Sequence, residues 1–231
     1  MKKRFLFCLP ILLLFSFFSC SDATPELVLA SGSMVFDYEN EESLPRTKMA
    51  VFVQMDSEVQ RADRLELESR LTGYNWRIAS PKLFRNGDRK WAYYTNIQPP
   101  AHENIPSGIY DFRYIDAAGE EALASFMLSY PKELVETKAP DVRSVLPSVT
   151  ESVALYDKNN VLVFFGKARN NWSTNAAILR DFNNAIIKRR CLSADNNRII
   201  CLMPAESLLE RRKSTAEEAK AADTEVDDSD E

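Results

Sequence analysis

The sequence is poor in histidine, glycine and cysteine. Its 231 residues include a single histidine, His102, with six glycines and four cysteines. One histidine excludes a histidine dyad and a metal site built from several histidines, and six glycines exclude collagen-like repeats. His102 lies in a proline-bounded loop, and no nucleophile motif accompanies it. We therefore expect no catalytic residue, no metal ion and no cofactor, and predict that the chain is not an enzyme.

A strongly basic region is also lacking. The net charge is −5, and residues 205–231 carry ten acidic and four basic side chains. Three of the first four residues are basic, so the body between the two ends is nearly neutral. Nucleic-acid binding needs a concentrated basic surface. The sequence therefore predicts no nucleic-acid partner.

The only long apolar run is at the N-terminus. Residues 5–18 form an apolar stretch of 14 residues behind Lys2, Lys3 and Arg4, too short for a bilayer core that needs about 20. This pattern is typical of a signal peptide. An alternative is ordinary secretion with cleavage after Ala23, where Ser21 and Ala23 fit the small-residue positions.

The end of this run, Phe17-Phe18-Ser19-Cys20 followed by a polar turn, resembles the lipobox of bacterial lipoproteins in the relaxed form of spirochaetal lipoproteins. The resemblance implies that residues 1–19 are removed and that Cys20 is acylated. The chain is then exported and anchored to a bacterial membrane, at the periplasmic face or the cell surface. The acylated Cys20 is the predicted membrane contact.

The mature chain consists of short β-type runs separated by turn signals, which predicts an all-β fold. We expect a lipidated tether over residues 20–27, a β-sandwich over 28–130 and a linker over 131–150. Residues 151–204 are predicted to form a small β-meander, either as a second domain or as an extension of the first sheet. Residues 205–231 are predicted to be a mobile acidic tail, disordered or helical.

Turn signals are clearest in the second half of the sandwich. Asn86-Gly87 predicts a hairpin between two β-type runs, and Asp116 to Gly119 predicts another. The sequence Pro106-Ser107-Gly108-Ile109-Tyr110, with Trp76 upstream, resembles an immunoglobulin-like or fibronectin-III-like sandwich. The resemblance implies that Tyr110 locks a corner and that Trp76 fills the core.

Two cysteines remain in the body, Cys191 and Cys201. They lie symmetrically about Asn196 at the centre of an Asp-Asn-Asn turn. A three-residue hairpin loop would place them opposite each other at a distance that suits a disulfide. We predict this disulfide, with two free thiols as the alternative.

Aromatic and basic residues come together in one segment. Trp91, Tyr93 and Tyr94, with Arg89 beside them, are candidate ligand-binding residues because aromatic faces next to cations can hold sugars or anionic groups. The predicted function is a non-catalytic, lipid-anchored envelope protein with a structural or protein- or glycan-contact role. The alternative is a periplasmic lipoprotein that binds a small or glycan-derived ligand in the same segment.

Overall fold

A computed structural model describes residues 24–56, 62–101 and 103–209. Twelve strands dominate these residues, which confirms the predicted all-β class. The strands are β1 Leu27–Asp37, β2 Arg46–Met55, β3 Ala62–Ser69, β4 Asn75–Ala79, β5 Lys82–Asn86, β6 Arg89–Ile97, β7 Gly108–Asp116, β8 Glu121–Leu128, β9 Thr150–Asp157, β10 Leu162–Gly166, β11 Ala185–Ala194 and β12 Ile199–Ser207. Two short α-helices, α1 Val142–Val145 and α2 Asn175–Asp181, lie in the second half.

The strands form two sheets. One has eight strands in the order β10-β9-β11-β12-β1-β2-β6-β5, and the other has four in the order β4-β3-β7-β8. All neighbouring strands are antiparallel except β1 and β12, which pair in parallel from Met34↔Ile199 to Asp37↔Leu202. Because β12 continues the sheet of β1, residues 151–204 extend the first sheet.

Core-facing and outward-facing side chains alternate along the strands, and the core-facing ones pack the two sheets against each other. In β2, Met49, Val51, Val53 and Met55 are buried in the main core, while the residues between them face away from the four-stranded sheet. This pattern is expected of a strand with one covered face. The face of the eight-stranded sheet that points away from the core is called the outer face below.

A glycine allows close packing at the centre of the core. The Phe126 ring lies over Gly32, where an added Cβ would be 2.3 Å from Phe126 Cε2. The same ring stacks on Tyr110 with centroids 5.6 Å apart. Gly32 therefore sets how closely β1 approaches β8.

The segment predicted as a linker is packed against the body. Residues 132–146 form two 3-10 turns, Lys132–Glu136 and Ala139–Asp141, followed by α1. Leu134, Ala139, Val142 and Leu146 are buried in the main core. Pro131 and Pro140 lie at the starts of the two 3-10 turns, where proline is tolerated. The apolar residues between the prolines attach the segment to the body.

A second, smaller cluster lies beneath α2. Val153, Leu155, Ile178, Ala185 and Leu208 are buried together there. The Thr174 hydroxyl caps α2 by accepting a hydrogen bond from the Ala177 amide at 3.2 Å. Strand β12 runs to Ser207 and Leu208 is buried, so ordered structure continues past the expected boundary at Pro204.

Some sequence predictions fall outside the described residues. The signal peptide with Cys20, the loop residue His102 and the acidic tail from residue 210 are among them. None of the helices in the described part of the chain has the length and apolarity needed to cross a bilayer.

Candidate functional site

The β5–β6 hairpin forms one edge of the eight-stranded sheet. As predicted, the Asn86-Gly87 pair marks its turn: Asn86 pairs with Arg89, and Gly87 takes a φ of +59°. Glycine is suited to this position because it adopts positive φ without steric cost. The pairs Phe84↔Trp91 and Lys82↔Tyr93 then fix which side chains share a face.

Strand β2 adds a further aromatic side chain to this face. Phe52 pairs with Tyr93, and its neighbours Val51 and Val53 are buried in the core, so Phe52 and Tyr93 lie on the outer face. Trp91 is two residues from Tyr93 and shares that face. The aromatic face is defined here as Phe52, Phe84, Trp91 and Tyr93.

The four rings are linked in a row by three contacts. Phe84 stacks on Trp91 with centroids 5.9 Å apart and an interplanar angle of 11°. Phe84 also meets Tyr93 edge-on at 5.4 Å, and Tyr93 stacks on Phe52 at 5.9 Å. Phe84 remains 41% exposed. Aromatic pairs of this kind gain about 0.5–1.5 kcal/mol beyond burial, which holds the rings in place on an open surface.

Positive charge accompanies the aromatic face. Lys82 lies opposite Tyr93, and Arg89 is two residues before Trp91, so both belong to the same face. Among the described residues, neither forms a salt bridge, and both are exposed. The other two basic residues of the hairpin, Arg85 and Lys90, lie opposite each other on the other face. The surface thus combines apolar rings with available cations.

One of the predicted ligand-binding residues lies elsewhere. Tyr94 pairs with Val51 and packs against the main core, on the opposite side of β6 from Trp91 and Tyr93. The structure therefore brings Trp91, Tyr93 and Arg89 to one face and places Tyr94 on the other, because successive residues of a strand face opposite ways. The sequence analysis missed Phe84, which the hairpin register would have indicated, and Phe52, whose pairing is not local.

The predicted disulfide between Cys191 and Cys201 is absent, and both are free, buried thiols. The turn encloses four residues, because Ala194 pairs with Ile199, so Cys201 lies opposite Leu192 and Cys191 opposite Leu202. This one-residue difference puts the two side chains on opposite faces of the sheet. Burial, reinforced by Cys191, raises the pKa of Cys201 to about 12. Thiols are unreactive under such conditions.

An ion network crosses the eight-stranded sheet where the strands β9–β12 meet the strands β1 and β2. Asp37 on β1 accepts hydrogen bonds from Lys48 Nζ at 2.7 Å and from Arg189 Nη2 at 2.5 Å. Arg189 Nε also donates to the Met203 carbonyl at 2.7 Å. Burial raises the pKa of Asp37, but the hydrogen bonds and charges of Lys48 and Arg189 outweigh it and hold the pKa below its usual value. These side chains link β2, β1, β12 and β11.

A groove of about 540 Å³ crosses the exposed face of the four-stranded sheet. Its central carboxylate, Glu66, lies 2.9 Å from Arg64 Nε and 3.9 Å from both Arg77 and Arg113. Glu66 is therefore paired with the arginines around it, and Asp111 of the same groove pairs with Arg70. Within the described residues, no group of three or more histidine, cysteine or acidic side chains is arranged to hold a metal ion.

Comparison with family models, with curated proteins and with solved structures finds no match.

Proposed function

We propose that this chain is a lipid-anchored, non-catalytic protein of the bacterial cell envelope, whose body contacts an envelope protein or glycan through the aromatic face. The observation that carries the proposal is that four rings linked by contacts share the outer face of the sheet with Lys82 and Arg89. Aromatic residues and arginine are enriched at contact surfaces, where tryptophan, tyrosine and arginine often serve as anchors.

The proposal includes an immunoglobulin-like body. With β1–β8 taken as strands A, B, C, C′, D, E, F and G, the four-stranded sheet reads C′-C-F-G and one half of the eight-stranded sheet reads A-B-E-D, as in that fold. The other four strands, β12, β11, β9 and β10, are added beside strand A. Tyr110 at the start of β7 is buried and donates a hydrogen bond to the Pro106 carbonyl at 2.6 Å. This agrees with the corner role expected of it. Trp76 lies on β4, which is C′ in this assignment, and its ring centroid is 6.1 Å from that of Tyr110. It is partly buried against the main core, so it borders the core and does not fill it as expected.

Anchoring through Cys20 is tested by mass spectrometry of the mature protein from membranes. The proposal predicts an N-terminus at Cys20 carrying acyl chains, and loss of membrane association in the Cys20→Ala variant. A mature N-terminus at Thr24 without lipid would instead support ordinary secretion and would overturn the anchor.

Contact through the aromatic face is tested by binding of the purified protein to washed envelopes. The Phe84→Ala/Trp91→Ala variant is compared with Leu83→Ala, which alters an exposed side chain of the same strand on the opposite face. We expect retention to fall at least tenfold for the first variant and to stay unchanged for the second. Equal retention of both variants would contradict the proposal.

The same assay identifies the kind of partner. Envelopes are digested beforehand with a protease or with a glycan hydrolase. Loss of binding after protease indicates a protein partner, and loss after the hydrolase indicates a glycan.

A further inference from the structure

A second aromatic cluster lies far along the chain from the aromatic face. Phe164 of β10, Trp172 of the following loop and Phe182 at the end of α2 form a ring triad with centroids 5.0, 5.2 and 5.7 Å apart. The rings pack against the smaller core cluster and are partly exposed. Their outer side faces away from that cluster.

Arg169 occupies that side. Its guanidinium carbon lies 5.2 Å from the Phe182 centroid, 5.4 Å from that of Trp172 and 5.9 Å from that of Phe164. All three distances lie within the range of a cation–π interaction, which is about 6 Å. A single cation therefore caps three rings at once.

A carboxylate completes the arrangement. Asp181 Oδ2 accepts hydrogen bonds from Trp172 Nε1 at 2.8 Å and from Arg169 Nη1 at 3.1 Å. The Trp172 indole thus orients the carboxylate whether or not Arg169 is present. Three rings and an oriented carboxylate together make a site for an organic cation.

The Arg169 side chain is only half buried in this site. It is 51% exposed, whereas the side chain of Asp181 is 15% exposed. A groove of about 470 Å³ begins at Trp172 and continues past Thr174 and Asn175 towards Lys188 and Glu206. Of the triad, it is Trp172 that lines this groove, so Trp172 borders both the position of the Arg169 cation and space for the rest of a ligand.

We propose that the ring triad with Asp181 is a binding site for a quaternary ammonium group, and that Arg169 is a built-in competitor for it. A trimethylammonium group carries diffuse charge and no N–H donors. It therefore loses little hydration on ring faces and needs no acceptor geometry from Asp181. This site is separate from the aromatic face and does not depend on the function proposed for it.

The test measures binding of tetramethylammonium chloride to the full chain by calorimetry or by NMR. Removing the competitor in Arg169→Ala should tighten binding at least tenfold relative to the parent protein. Arg180→Ala is the matched control, because Arg180 also contacts Asp181, at 3.7 Å, without capping the rings. It should bind as the parent does. The neutral isostere 3,3-dimethyl-1-butanol should bind to none of them.

Replacement of Trp172 by Ala in the Arg169→Ala background should abolish binding, with circular dichroism as the check on folding. If that variant does not fold, Asp181→Asn in the same background serves instead, and it should weaken binding at least fivefold. Choline and glycerophosphocholine are then compared: tighter binding of the second indicates a lipid headgroup, and tighter binding of the first indicates a free ligand.

Two results would overturn the proposal. Equal affinity of the parent and Arg169→Ala for tetramethylammonium would mean that Arg169 competes with nothing. Tighter binding of guanidinium than of tetramethylammonium would contradict the assignment to quaternary ammonium.

Discussion

Gly32 illustrates how a single residue controls the spacing of the two sheets. Its missing side chain leaves space for the Phe126 ring, and a Cβ there would be only 2.3 Å from that ring. We expect Gly32→Ala to reduce the free energy of unfolding by about 1–3 kcal/mol, because the Phe126 ring must leave its stacked position on Tyr110. Urea unfolding measures the change. Ser31→Ala, one residue away and facing outward, is the control, and an equal effect of both would refute the packing role.

Asp37 predicts a dependence of stability on pH. Its pKa in the folded protein lies below the usual 3.8 because Lys48 and Arg189 outweigh the effect of burial. A lowered carboxyl pKa adds stability above the unfolded-state pKa, and that stability is lost as the pH falls through the folded-state value. We therefore expect the free energy of unfolding to decrease as the pH is lowered below about 4.

Asp37→Asn tests the assignment of this pH dependence. The variant should lose about 2 kcal/mol at neutral pH, because a hydrogen-bonded charge in a half-buried network is removed. It should also show a shallower loss of stability in acid. Asp111→Asn, which breaks an exposed pair with Arg70, is the control and should cost less. A steeper acid dependence in Asp37→Asn than in the parent would contradict the assignment.

At the scale of single elements, the β11–β12 hairpin shows the effect of one extra turn residue. Asp195, Asn196 and Asn197 all take positive φ, and a four-residue loop results. Asparagine and aspartate tolerate this conformation better than most residues. The cysteines consequently face opposite ways, so we expect a reducing agent to leave the melting temperature unchanged.

Thiol chemistry checks this register. Both Cys191 and Cys201 should react with a thiol reagent only after denaturation, because both are buried. A peptide pair linked through Cys191 and Cys201 in the unreduced protein would show that the register differs from the one described.

Local signals predicted the elements better than their partners. The hairpin β5–β6 follows from Asn86-Gly87, and the turn after β7 follows from Asp116, whose carboxylate accepts hydrogen bonds from the Ala118 and Glu120 amides. The parallel pairing of Met34 with Ile199 could not be predicted, because no local pattern records which distant strand is the neighbour. The same limit explains why Phe52 was missed.

The register of a hairpin depends on the number of residues in its loop, which the sequence alone does not fix. That Phe84 and Trp91 share a face was accessible from the Asn86-Gly87 signal, but their direct pairing was not, because the two loop residues are Gly87 and Asp88. The relative position of the cysteines depended on a loop that could hold three or four residues. Burial of Leu134 and Val142 in the main core was not predicted, because the prolines around them are typical of a linker. Composition indicated a linker there, and only the packing shows otherwise.

For the molecule as a whole, the continuous eight-stranded sheet predicts a single unfolding transition. Leu192, Ile199 and Met203 from the C-terminal half are buried in the same core as Met34 and Val51. The ion network of Asp37 and Arg189 joins the halves on the other face. We expect circular dichroism and tryptophan fluorescence to give the same midpoint in urea. Two separated midpoints would show that the halves unfold independently.

The central claim is that the aromatic face contacts a partner in the cell envelope. A photo-crosslinking amino acid placed at position 84, on that face, is compared in living cells with the same group at position 83, on the opposite face. We expect a discrete crosslinked product from position 84 and none from position 83. Products of equal yield from both positions, or none from position 84, would contradict it.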